Sequence, residues 1–153
     1  MNYIIFDLEA TCWENDKTKQ NEIIEIGAVK LNEKLEIIDT FQSFIKPKLH
    51  PILSSFCTQL TTIEQKDVDS ARPFHEVLYQ FKNWIGKDYT LCSWGKYDKN
   101  QFIKDCQVYR QDTNWLNKHI SLKHQYMEKY KLGGRQAGMG AVLSKLDIPL
   151  EGT

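Results

Sequence analysis

The chain has 153 residues, of which 41% are hydrophobic and 26% charged, enough for one domain with a sizeable core. Its 20 Lys and Arg balance 20 Asp and Glu, which excludes a nucleic-acid binder held by bulk charge, and no apolar run approaches the ~20 residues of a membrane span. Four dispersed cysteines (Cys12, Cys57, Cys92 and Cys106) include no C-x-x-C pair, so a zinc site is set aside and the thiols are read as reduced, in a cytoplasmic protein.

In chain order, Tyr3–Ala10 reads as the first strand, apolar on both faces through Ile4, Ile5 and Phe6. It runs directly from the N-terminus, which leaves no room for a signal peptide. Asp7 and Glu9 follow two residues apart, and residues i and i+2 of a strand point to one face. Two crowded carboxylates are costly, and a hard divalent cation with oxygen ligands relieves them. A strand end emerging into water with both acids hydrated gives the same pattern.

Trp13 to Asn21 lacks periodicity and reads as a loop, Ile23–Leu31 as a second strand, and Ile37–Ile45 as a third. The short links predict an antiparallel meander. Thr61-Thr62-Ile63-Glu64 has the form of a capping box and predicts a short helix starting there. Pro73 suits the start of the next helix, whose Phe74, Val77, Leu78, Phe81, Trp84 and Ile85 keep helical spacing up to Gly86. Thr90–Trp94 reads as a fourth strand and Tyr97–Arg110 as a helix with Phe102, Ile103, Cys106 and Tyr109 inward. His119–Lys123 reads as a short fifth strand, Gln125–Lys131 as helical, and Met139, Val142, Leu143 and Leu146 mark a last helix. This order predicts an α/β fold with a mixed five-stranded sheet and helices packed against it.

Asp98 falls in the first turn after the fourth strand, with Phe102 four residues on along the same helical face. Packing of Phe102 on the sheet aims Asp98 at the sheet's C-terminal edge, which includes Asp7 if the fourth strand lies beside the first. An acid favoured by the helix N-terminus is the simpler explanation of Asp98 alone. Charge is segregated: residues 1–95 carry 10 Lys and Arg against 14 Asp and Glu, and residues 96–135 carry 9 against 4.

Phe6-Asp7-Leu8-Glu9-Ala10-Thr11-Cys12-Trp13 resembles the first motif of DEDDh-type 3′–5′ exonucleases, more narrowly of the histone-mRNA 3′-end and sporulation-inhibitor-like branch. Ile23–Val29 is similar to that family's second strand, Phe56–Thr61 to its substrate-edge loop, and Ser93–Phe102 to its second motif. The resemblance covers the whole chain in order. It implies a ribonuclease-H-like fold with Asp7, Glu9 and Asp98 as catalytic ligands of two Mg²⁺ or Mn²⁺ ions, Asp7 between them. It implies single-stranded RNA or DNA 3′ ends as partners, contacted by Ala10, Thr11, Cys12, Trp13, Leu60, Thr61, Trp94, Gly95 and Phe102. Aromatic stacking of that kind is sequence-tolerant. A loop aromatic packed on its own domain explains Trp13 equally well.

The family's H-x-x-x-x-D motif, which carries a general-base histidine and a fourth carboxylate, is absent from the 153 residues, and none of His50, His75, His119 and His124 precedes an Asp by five. Residues 1–153 are therefore expected to be a single exonuclease domain lacking its final helix, with that face left uncovered for self-association. Two activities follow: hydrolysis from the 3′ end to nucleoside 5′-monophosphates, or a truncated, catalytically impaired module of the same fold that binds metals or 3′ ends. An unrelated α/β protein with a chance motif is the third reading.

Overall fold

Alternation along the first strand decides what each face of the sheet does. The computed structural model describes residues 1–151. In β1 (Asn2–Ala10), Ile4, Phe6 and Leu8 are buried, while Ile5, Asp7 and Glu9 turn to the opposite side. β2 (Ile23–Leu31) pairs antiparallel to β1 and keeps the same division. Phe6 stands opposite Ala28 on the core face, and Asp7 opposite Gly27 and Glu9 opposite Glu25 on the other. β3 (Ile37–Lys46) completes the meander.

The chain then crosses over. α1 (Ser55–Thr61), α2 (Gln65–Asp69) and the two-residue β4 (Arg72–Pro73) lead to α3 (Phe74–Ile85) and β5 (Tyr89–Ser93). α4 (Tyr97–Val108), a single 3₁₀ turn at Asn114–Leu116, β6 (His119–Ser121), α5 (Leu122–Tyr130) and α6 (Met139–Lys145) follow. The sheet order is β4-β3-β2-β1-β5-β6, with β5 parallel to β1 and β6 parallel to β5. Placing β5 beside β1 brings the start of α4 to the end of β1 that carries the acids.

The core lies between that sheet face and helices α3 and α4. Phe74, Val77, Leu78, Phe81 and Ile85 of α3 are buried at the predicted spacing, and Gly86 ends the helix at φ +77°. Phe102 is the centre of an aromatic cluster, 5.4 Å from Phe6, 5.8 Å from Phe81 and 5.1 Å from Trp115 between ring centroids. Full burial of each such side chain contributes roughly 1.5–3 kcal/mol.

Four local expectations are corrected. The segment preceding Thr61 is helical, not a loop: Ser54 caps it by accepting from the Cys57 N–H at 3.0 Å, and Thr61 ends it. The reciprocal capping interaction lies three residues later, between Glu64 and Asp67, and starts α2. Arg72 and Pro73 add a sixth, edge strand parallel to β3, where the missing proline N–H costs nothing. The predicted fifth strand also stops at Ser121, whose hydroxyl accepts from the His124 N–H and opens α5 at Leu122. Among the described residues, no helix is long and apolar enough to cross a membrane.

Candidate active site

Asp7, Glu9 and Asp98 are brought together by two different elements. β1 supplies the first two on one face. α4 supplies the third, because Phe102, one turn beyond Asp98, packs on Phe6, the neighbour of Asp7. The turn before α4 is fixed by polar contacts. The Ser93 hydroxyl donates to the Gly95 carbonyl at 2.8 Å and lies 2.7 Å from Nε2 of His119, so His119 is the donor and Ser93 the acceptor in that second bond. Gly95 holds φ +97°, a conformation that side chains resist.

A second clamp holds the middle of α4. Gln101 and Asp105, both buried, continue the face that carries Asp98. Gln101 Nε2 donates to the Asn21 carbonyl at 3.0 Å and to Asp105 at 2.7 Å, and Asp105 accepts from the Ile23 N–H at 2.9 Å. Beside it, buried Glu22 accepts from the N–H groups of Lys48, Leu49 and His50 at 2.8, 2.6 and 3.2 Å. These bonds tie α4, the start of β2 and the loop after β3 into one unit.

The electrostatics follow from crowding. Burial first, and then the charges of Asp7 and Glu25, push Glu9 up to about 7. Asp98 is also pushed up to about 7 by burial, by the charge of Asp7, by a hydrogen bond with Asp7 and by Glu9. Asp105 rises to about 6 through burial, opposed by its bonds from Ile23 and Gln101. The oxygen-only donor set, with two members holding protons near neutrality, has the chemistry of a hard-cation site. Among the described residues, no three His, Cys, Asp or Glu side chains already stand in metal-holding geometry.

Asp7 and Glu9 line a cleft of about 590 Å³ together with Glu25, Gly27, Trp94 and apolar residues of β1, β2, α5 and α6. Gly27 stands opposite Asp7, and a Cβ there would lie 4.0 Å from the Asp7 carbonyl oxygen. Trp94 is anchored by its indole N–H, which donates to the Ala137 carbonyl at 3.0 Å. Leu60 is 62% exposed at the end of α1.

The other expected contact residues are placed differently. Phe102 is wholly buried in the core, where its ring packs on Phe6, Phe81 and Trp115. Thr11 and Thr61 are buried as well: the Thr11 hydroxyl accepts from the Glu22 N–H, and the Thr61 hydroxyl donates to the Cys57 carbonyl. Ala10 offers its carbonyl to the Cys57 thiol at 3.8 Å. Cys12 packs beside Cys57, and burial and that neighbour push its thiol up to about 12. Trp13 is half-buried, edge-on to His50 at 5.1 Å and under Lys19 at 5.2 Å. Glu25 and Gly27 were missed by sequence reasoning. Their signal was the two-residue alternation with Val29 on the face of β2 opposite its buried residues.

The family model described as Exonuclease matches residues 4–152. The chain is 35% identical to the 3'-5' exoribonuclease 1 of Rattus norvegicus over 97% of this chain and 46% of that protein. A crystallographic structure of the nuclease domain of 3'hExo, a DEDDh family member bound to rAMP, superposes with a TM-score of 0.91 at 34% identity, covering 99% of this chain and 82% of that one. A 3'-exonuclease described as giving 3'-end specific recognition of a histone mRNA stem-loop superposes at 0.92 and 33% identity, covering 99% of this chain and 56% of that one. The chain spans less than half the length of the curated relatives described by its first matches, 12% in one case and 46% in another.

A pH dependence follows from the three raised carboxyls. Each binds its proton more tightly when folded than its ordinary value of 3.8 or 4.5 allows. The stabilisation is therefore complete below those values and is lost as pH rises through about 6 for Asp105 and about 7 for Glu9 and Asp98. Metal-free protein should melt at a lower temperature at pH 8 than at about pH 5.5, and Asp98→Asn should narrow the difference. Circular-dichroism melts across that range check it, and a midpoint that rises steadily to pH 8 contradicts the crowding.

Proposed function

The chain belongs to the exonuclease family, and from that membership we propose that it is a nuclease domain hydrolysing single-stranded RNA or DNA from the 3′ end to nucleoside 5′-monophosphates. One observation carries the reading: Asp7 and Glu9 share a strand face that lines a cleft, and α4 brings Asp98 close enough for both to act on its carboxyl. Asp7, Glu9 and Asp98 would hold the divalent ions, Mg²⁺ or Mn²⁺, on which this family depends. Bound there, such ions supply activation of water and neutralisation of charge on the leaving 3′ oxygen.

The chain's own residues prepare that state. Burial and the charge of Asp7 raise the Asp98 carboxyl to about 7, so Asp98 would give up a proton near neutral pH on taking its place as a metal ligand. Trp94, fixed through its indole N–H, offers a ring at the cleft for the terminal base, and exposed Leu60 borders the same nucleotide. Trp13, braced by His50, forms the rim of the loop after β1.

A second reading is a module of the same fold that binds metal and 3′ ends with impaired hydrolysis. It is favoured by the histidines: among the described residues none lines the cleft. His119 is bonded to Ser93 and held below its ordinary value by burial and by Lys99 and Lys96. His124 is bonded to Ser121, His50 packs on Trp13, and His75 is exposed on α3. Calorimetric titration with Mn²⁺ and a digest of 5′-labelled single-stranded RNA test both readings. Wild type should bind Mn²⁺ weakly and shorten the RNA from its 3′ end, and Asp7→Ala should lose both. Binding without shortening favours the second reading, and equal heats for the two proteins remove the metal site from both.

The chain is further proposed to self-associate through apolar surface beside the cleft. Ile5 and Val29 line that face without full cover, and Leu146 and Ile148 are about half exposed on the segment that follows α6. Sedimentation velocity should show concentration-dependent association that Val29→Lys weakens. A monomer at all concentrations contradicts it.

A further inference from the structure

α5 buries none of its nine residues completely, unlike a helix whose apolar stripe serves only the core. It carries aromatic rings and cations instead. Tyr126 and Tyr130, one turn apart, have ring centroids 4.7 Å from each other, and Tyr126 lies 6.2 Å from Trp94. Trp94 lines the carboxylate cleft. The three rings thus form a row leading out of the cleft to Tyr130, which is 47% exposed.

Cations flank the row. The Lys129 ammonium stands 5.5 Å from the Tyr130 ring centre. Lys123 runs its stem beside the turn after Trp94: a Cβ built on Gly95 would lie 3.8 Å from its Cδ. Between residues 122 and 135 the sequence carries Lys123, Lys129, Lys131 and Arg135 against the single acid Glu128. Lys96 and Lys99 add positive charge near His119, at the start of α4. The surface changes from negative in the cleft to positive along α5 within a few residues.

That pairing of ring faces with ammonium groups fits a nucleic-acid single strand, whose phosphates need cations and whose unpaired bases need flat partners. A duplex offers no free base faces to such a row. We propose that Trp94, Tyr126 and Tyr130, with Lys123 and Lys129, form a track for the single-stranded segment lying 5′ of the terminal nucleotide. The track rests on the exonuclease reading, because that reading places the 3′ end at the cleft from which the row departs. Its consequence is a length requirement: a strand that reaches α5 binds more tightly than one that fills the cleft alone.

Fluorescence anisotropy with hydrolysis-resistant phosphorothioate oligouridines of about three and about ten nucleotides tests this in the full chain. Wild type should bind the longer strand at least about tenfold more tightly. Tyr130→Ala should weaken the longer strand about fivefold or more and leave the shorter unchanged. Lys129→Gln should make the salt dependence of the longer strand shallower by about 0.7 in log–log slope. If Tyr130→Ala changes neither strand, or weakens both equally, the track is overturned and the exonuclease reading stands. If wild type binds neither strand, both fall together.

Discussion

Three carboxylates are gathered at the end of a strand whose other face is apolar, and the surrounding structure is arranged to withstand their repulsion. Nothing in β1 alone would keep Asp98 there. The Phe6–Phe102 contact does so from below, by burying the helix face that carries Asp98 against the residue next to Asp7. The Ser93–Gly95–His119 bonds fix the turn from which α4 starts, and Gln101 and Asp105 fix its middle to the start of β2. Burial, and after it the neighbouring carboxylates, push both Glu9 and Asp98 up to about 7. An all-oxygen site crowded in this way would suit a hard cation.

Polar contacts and an aromatic one tie the loop after β1 to the loop after β3. Thr11 is bonded to Glu22, and Glu22 gathers three successive N–H groups from residues 48–50. His50 then meets Trp13. Buried polar groups of this kind are costly unless fully partnered, and among the described residues no buried side-chain nitrogen or oxygen is left without a partner. None of Thr11, Trp13, Glu22 and residues 48–50 lines the cleft.

Much of this was legible in the sequence because it depends on period. The alternation in β1 and β2 gave both strands and the shared face of Asp7 and Glu9, and the spacing from Phe74 to Ile85 gave α3. The four-residue step from Asp98 to Phe102 gave the aim of α4. What escaped depends on partners distant in sequence. Asp105 and Ile23 meet across 82 positions, and Glu22 reaches residues 26 to 28 positions away. No local pattern distinguishes such an acid from a solvated one. The helix before Thr61 escaped for a nearer reason, since Ser54 was a competing cap and Thr61 takes its bond from the turn it ends. Thr11, Thr61 and Phe102 carry the motif of a substrate edge, yet their side chains serve the fold beneath that edge.

The central claim is that the Phe6–Phe102 packing brings Asp7, Glu9 and Asp98 together as a site for divalent cations. Anomalous diffraction from crystals of the chain soaked in Mn²⁺ tests it most directly. The account predicts a manganese peak bounded by oxygens of Asp7, Glu9 and Asp98. A peak elsewhere, or no peak, would contradict it.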